Sequence, residues 1–434
     1  MASALRSNPP LRRLLAAWGQ SCLGTGAGYV ALLLLTYRHL HSSWAIAVVL
    51  LCEFLPAILF ASWFGSLADR HSRRALIVIA NVTQAGAYGG LALSRGAAPI
   101  VTLALLAGIG NSLQRPALRA ALPLVAGDQQ QSAAAVFDTL RWVGMTLGPL
   151  IAALFFVFTG PALPLALNGA SFLVAAVLIG TLEVASPGQQ PGARPAPAGL
   201  RAGLRVAFAA PAIATMIACS AGAVISLGLL NVCEPILATH VLRGSGSDYA
   251  LLVAAYGVGQ VIATVLVIRR GDMPGAVLIR RYLAAVALTA VGMCGSAVAD
   301  TVWVAAITFL ATGYGNALLL VSEAQLIQQR VANAVQGRLF GARDTVLSAF
   351  FLIGLVGAAP FVAVAGVRAT LASGAALCAL CAVVATVALR RRAAGADVDF
   401  VPESLADATA VEPSGLWLAG ATAQPEAGEV RRTA

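Results

Sequence analysis

The sequence contains no lysine; all 28 of its basic residues are arginine. That absence excludes a phosphate-binding P-loop, whose lysine reaches the nucleotide phosphates. Schiff-base and Ser-Lys chemistries fall with it, so ATP hydrolysis on a Walker fold is not open to this chain. Histidine is nearly as scarce: His39, His41, His71 and His240 are the four. No HExxH pair exists to hold a protease zinc. Charge as a whole is thin, at 11% of residues, under half of the roughly 25% found in soluble domains. The seven cysteines all fall in apolar runs. Cys378-x-x-Cys381 has redox spacing but no flanking polar ligands, so it reads as two small buried residues.

Apolar residues make up 59% of the 434, with a mean hydropathy of +0.84. A membrane span needs about 20 apolar residues to cross a core of about 30 Å. Twelve such runs can be traced, at about 14–37, 43–64, 75–94, 98–122, 134–158, 161–182, 207–238, 247–268, 278–298, 302–326, 342–366 and 369–390. The expected fold is an all-α integral membrane protein with twelve transmembrane helices in two six-helix halves. The first half takes residues 1–182 and the second 204–392. The stretch 183–203 is rich in Pro, Gly and Ala and reads as a cytoplasmic linker. The tail 393–434 holds seven acids and two arginines, and its polarity predicts disorder.

Arginine counting predicts the orientation. With the N-terminus inside, the inner loops hold arginines 70, 73, 74, 119, 194, 201, 205, 269, 270, 280, 281, 330 and 338, and 390–392 follow the last span. The outer loops hold only Arg38, Arg95, Arg243 and Arg368. Both termini should then be cytoplasmic, in a multi-pass protein of the inner membrane. The net charge of +10 is therefore topogenic and implies no nucleic-acid partner.

The halves also repeat. Gly110-Asn111 in the fourth run matches Gly315-Asn316 in the tenth. Asp138-Thr139 in the fifth matches Asp344-Thr345 in the eleventh, and Gly148 matches Gly354. A six-span repeat is parallel, with its axis along the membrane normal, as in transporters that rock two halves about a central site.

The loop after the second run reads Gly65-Ser66-Leu67-Ala68-Asp69-Arg70-His71-Ser72-Arg73-Arg74. It closely resembles the signature of the major facilitator superfamily in the same loop, with Ser72 in place of a glycine. Gly144-x-x-x-Gly148-Pro149-x-x-Ala152-Ala153 resembles the motif of the superfamily's exporter branches, with an alanine pair for a glycine pair. Gln114-Arg115-Pro116-Ala117 through Val125, and Gln336-Gly337-Arg338-Leu339-Phe340-Gly341, look like the macrolide-efflux and siderophore-exporter branch. The resemblance implies a drug:proton antiporter-like secondary transporter and not an enzyme. It implies alternating access, no cofactor, and a monomer whose partners are a small-molecule substrate, protons and the lipid bilayer. The other readings are an importer or uniporter, and a membrane sensor or assembly protein without transport.

Charges inside spans cost about 2.5–3.5 kcal/mol on insertion scales, so each needs a reason. Glu53, near the middle of the second run, is the proton-coupling candidate; a hydrogen-bonded structural carboxyl is the other reading. Gly65, Asp69, Arg70, Arg73, Arg74, Asp138, Arg141, Gly148 and Pro149 form the expected gate and conformational motif. Asp138 and Arg141 could instead pair privately. Arg115 is either an anion or gate contact or snorkels to the interface. Glu323 is expected to pair with a loop arginine, and Glu234 to lie near the outer end. Gln20, Tyr29, Asn111, Asn231, Tyr256 and Asn316 are the substrate-cavity candidates, with interhelical hydrogen bonds as the alternative. A cavity of such residues has few charges and suits a bulky amphiphilic or lipophilic solute.

Overall fold

The computed structural model describes residues 8–60, 63–64, 67, 71–182, 200–270 and 273–393. Those residues form a helical bundle. Its elements are α1 (Pro9–Leu40), α2 (Ser43–Leu59), α3 (Arg73–Leu93), α4 (Ala97–Ala126), α5 (Gln130–Thr159), α6 (Ala162–Gly180), α7 (Leu200–Ala209), α8 (Pro211–Ile236), α9 (Gly246–Arg270), α10 (Gly275–Val298), α11 (Val302–Arg330) and α12 (Asn333–Ala393).

Local chemistry sets the helix ends. Asn8 caps α1, accepting from the Leu11 amide at 3.0 Å, while Pro9 needs no amide partner in the first turn. His41 closes the same helix in the left-handed region. Thr301 caps α11 through the Val304 amide. The seventh run begins differently from its expected start at 207. A short helix, α7, covers Leu200–Ala209 and opens inside the expected linker. Ala210 then leaves helical geometry at φ −120° and ψ 88°. Pro211 disfavours helical backbone in the residue before it, which separates α7 from α8. The rest of the expected linker and the tail from 394 lie outside the described residues. At the other end of the chain the eleventh and twelfth runs form one continuous helix, α12, interrupted at Gly366 with φ 80°.

Among the described residues, nine helices are long and apolar enough to cross a membrane. The expected twelve is not the number that length and apolarity return. Helix α2 has only 17 residues, the apolar run of α1 is diluted by Gln20, Ser21, Thr25 and four glycines, and the two last runs merge in α12. Large apolar side chains face outward, among them Phe158 at 83% and Val364 at 90% exposure. Exposed apolar surface on this scale is stable only against lipid.

The sequence repeat is a repeat of packing. At Gly108 on α4, an added Cβ would strike the backbone of Cys52 on α2; at Gly313 on α11, it would strike the backbone of Tyr256 on α9. Gly110 lies against Ala80 and Gln84 of α3, and Gly315 against Ala285 and Thr289 of α10. Gly148 on α5 meets the backbone of Gly26 and Ala27 on α1, and Gly354 on α12 meets that of Ile225 on α8. The α4 positions map onto α11 at an offset of 205, and α5 onto α12 at 206. Gly108, Gly148, Gly313 and Gly354 stand at backbone-to-backbone crossings where no side chain fits, whereas at Gly110 and Gly315 the nearest obstacles are the Gln84 and Thr289 side chains.

Candidate functional site

Helices α2, α4 and α5 of the first half face α8, α11 and α12 of the second across a cavity of about 760 Å³. It lies toward the end of the bundle that carries the α2–α3 and α4–α5 connections. Its first-half wall includes Phe54, Ser112, Arg115, Arg119 and Arg141, and its second-half wall Leu320, Arg343, Asp344, Leu347 and Phe351. Toward the opposite end the halves touch. The Tyr29 hydroxyl on α1 donates to Asn231 Oδ1 on α8. Ser43 on α2 reaches the Ala359 carbonyl of α12 at 3.3 Å, and Thr146 on α5 the Gly257 carbonyl of α9 at 3.4 Å. Phe54 and Phe351 meet edge-on between centroids 5.4 Å apart. Among the described residues the halves are thus separated by the cavity toward one end and in contact toward the other.

The charges of the cavity have a definite bookkeeping. Arg119 pairs with Asp138 at 3.5 Å, both side chains being more than half exposed. A pair so solvated contributes about 0–1 kcal/mol. Arg343 is tighter. It contacts Glu323 at 2.6 Å and Asp344 at 2.9 Å, with Arg343 10% and Glu323 1% exposed. Glu323 also accepts from Ser220 on α8. Ser220 lies 3.0 Å from the Tyr282 hydroxyl of α10, which donates to the Met216 carbonyl at 2.8 Å. One buried carboxylate therefore ties α8, α10, α11 and α12 together. Its partner is a helical arginine and not the loop arginine expected from sequence. Glu323 signalled the need for a cation, but the twenty-residue separation hid which one.

The expected polar cavity residues are elsewhere. None of Gln20, Tyr29, Asn111, Asn231, Tyr256 and Asn316 lines the 760 Å³ space. Tyr29 and Asn231 bridge the halves beyond it. Asn316 donates to the Tyr256 hydroxyl at 2.8 Å within the second half. Gln20 donates to the carbonyls of Ala17 and Ser171 inside the first, and Asn111 is half-buried on α4. Five of the six thus engage in hydrogen bonds, while Asn111 makes none among the described residues. The cavity is not poor in charge, because its arginines come from stretches near helix ends where the hydrophobic pattern is already fading.

Glu53 is buried inside the first half, accepting from the Tyr88 hydroxyl at 2.8 Å. It adjoins Phe54, which does line the cavity. Glu234 is 5% exposed and has no hydrogen-bond or ion-pair partner among the described residues. The Tyr29 hydroxyl lies within electrostatic reach of both carboxyls. In the loop signature, Gly65, Asp69 and Arg70 lie outside the described residues, while Arg73 and Arg74 open α3. Gly148 and Pro149 are buried on α5, where Gly148 forms the α1 crossing. All seven cysteines are free.

Comparison with known proteins gives the same architecture. BacE of Bacillus amyloliquefaciens, named as a candidate bacilysin exporter, is 25% identical over 80% of this chain and 87% of its own length. The nucleoside transporter NupG superposes with a TM-score of 0.69 at 12% identity, covering 88% of this chain and 99% of that one. A bacterial homologue of the lysosomal transporter Spinster, in an inward-facing and unoccupied conformation, superposes at 0.65 with 14% identity, over 88% and 97%. The family model for transmembrane secretion effectors matches residues 7–414. The chain belongs to that family, a branch of the major facilitator superfamily, and is a multi-pass membrane transporter.

Proposed function

We propose that the protein is a proton-coupled exporter that moves a small molecule out of the cell by alternating access. The observation that carries this reading is the cavity between two repeat-related halves that, among the described residues, meet on its far side. Rocking the halves about that space would expose it to each side in turn. The arginine-rich connections at the cavity end support a cytoplasmic location for it, with both termini proposed on that side of the inner membrane. The family description and the BacE relative favour export.

Glu53 is the proposed proton carrier. A carboxyl removed from water favours its neutral form, and its position next to Phe54 puts it one side chain from the substrate space. The Tyr88 hydroxyl holds it in place. Glu234 is the second carboxyl of this kind, on the far side of Tyr29.

The test uses inside-out vesicles with an acidified lumen, offered bacilysin, a macrolide and a catechol siderophore. Accumulation of one of these that collapses with the pH gradient is the expected result. Glu53→Gln should abolish gradient-driven accumulation and keep substrate exchange at zero gradient. Accumulation indifferent to the gradient would overturn proton coupling. Full gradient-driven accumulation in Glu53→Gln would move the role to Glu234.

A further inference from the structure

The repeat makes the cavity testable against its own symmetry. Arg115 on α4 corresponds to Leu320 on α11 at the offset of 205, and Arg141 on α5 to Leu347 on α12 at 206. All four side chains line the same cavity. Asp138 and Asp344 keep the repeat one turn away. The two halves have therefore diverged at the two positions that face each other across the space. The first-half wall thus presents guanidinium groups at both positions and the second-half wall isobutyl groups, while the second half's own guanidinium, Arg343, is held by Glu323 and Asp344.

Arg115 has no hydrogen-bond or ion-pair partner among the described residues, whereas Arg119 and Arg343 are matched to carboxylates. It also stands close enough to Arg141 for the two charges to repel. Asp138 lies within electrostatic reach of both arginines, but it is paired with Arg119 and more than half exposed, so Arg115 keeps no close counter-ion of its own. Guanidinium groups suit carboxylate, sulfonate and phosphate oxygens through paired N–H donors. Facing them, Leu320 and Leu347, with Phe54 and Phe351 beside them, suit an apolar body.

We infer that this cavity takes an amphiphilic organic anion, its oxyanion on Arg115 and its apolar body against Leu320 and Leu347. This rests on the transport reading for its physiological meaning, but the binding itself does not require transport. The recognised chemistry is an oxyanion attached to an apolar body. A free solute is the proposed source, and an anionic lipid headgroup is the competing one.

The experiment is equilibrium fluorescence anisotropy with the full chain in phosphatidylcholine nanodiscs. Fluorescein is the anionic probe, and rhodamine 6G is a cationic dye on the same xanthene skeleton. Fluorescein should bind and rhodamine 6G should not compete with it. Arg115→Gln should weaken fluorescein by roughly tenfold or more, the worth of one charge-assisted hydrogen bond. Arg115→Lys should retain part of the affinity, because the charge stays while the paired geometry is lost. Both variants must elute as the same monodisperse species as the parent. No fluorescein binding, equal binding of both dyes, or fluorescein affinity unchanged in Arg115→Gln would each overturn the inference. Phosphatidylglycerol in the discs should leave fluorescein affinity unchanged; displacement would assign the arginines to lipid and overturn it as well. Arg115-dependent binding together with silent vesicles would instead count against the transport reading alone.

Discussion

The Tyr29–Asn231 hydrogen bond joins α1 to α8 at the closed end, so its removal should shift the balance between the two open states. Tyr29→Phe keeps the ring and deletes the hydroxyl that Asn231 Oδ1 accepts from. Asn231 Nδ2 remains committed to the Leu227 carbonyl at 2.8 Å, so the amide cannot turn round to compensate. Both side chains are half-buried. That places the loss near the ordinary net value of a hydrogen bond, about 0.5–1.5 kcal/mol, and not at the larger penalty of a fully buried orphan. The loss falls only on the state in which the two residues touch. The equilibrium should therefore move roughly twofold to tenfold toward the state open at this end. Spin labels at Ser42 and Gly244, on either side of the closed end, report the population by double electron–electron resonance in a cysteine-free background. The longer-distance fraction should grow in Tyr29→Phe. The double variant Tyr29→Phe/Asn231→Leu should fall back toward the parent, because replacing both partners by apolar groups strands neither. An unchanged distance distribution in the single variant would refute the assignment of this contact as part of the closure. So would a double variant no different from the single.

Arg343→Met leaves Glu323, 1% exposed, without its cation, and should cost about 3–5 kcal/mol, read as a lower midpoint of thermal unfolding in detergent. Adding Glu323→Gln should recover most of that loss. Gly148→Ala puts a methyl 2.6 Å from the Ala27 nitrogen, and Gly354→Ala meets the Ile225 backbone in the same way; each should destabilise by about 1–3 kcal/mol. Gly357→Ala, three residues away with nothing within 4 Å, should be near neutral in the same unfolding assay. Asp69→Asn removes a charge from the loop signature and should cut transport in vesicles while leaving membrane expression near the parent level. Unchanged transport would reduce that loop to a topogenic role.

The class of protein was legible in the sequence because it depends on averages. Scarce charge, long apolar runs and arginine asymmetry are properties of whole segments, and a bilayer imposes them on every span. The repeat was legible too, since Gly148 and Gly354 stand where helix backbones touch and only glycine fits. The boundaries of α7 and α12 were less so. Pro211 and Gly366 act through backbone geometry that apolar averaging smooths away.

The site was the part that only tertiary structure decided. Asn231 and Tyr29 have the composition of a cavity wall, yet they seal the far end, because a polar side chain in a span can satisfy itself across a helix interface as readily as in water. Arg343 was hidden because its partner, Glu323, is on another helix. Arg115 and Arg141 were visible as charges, but not as part of one wall of a space whose other wall sets Leu320 and Leu347 beside the paired Arg343 and Asp344. Periodicity tells which residues share a helix face; it does not tell which face meets the other half. That pairing arises only when the two repeat-related sets of helices are set against each other. Where they meet, the repeat is broken at the Arg115/Leu320 and Arg141/Leu347 pairs, and the cavity walls differ there.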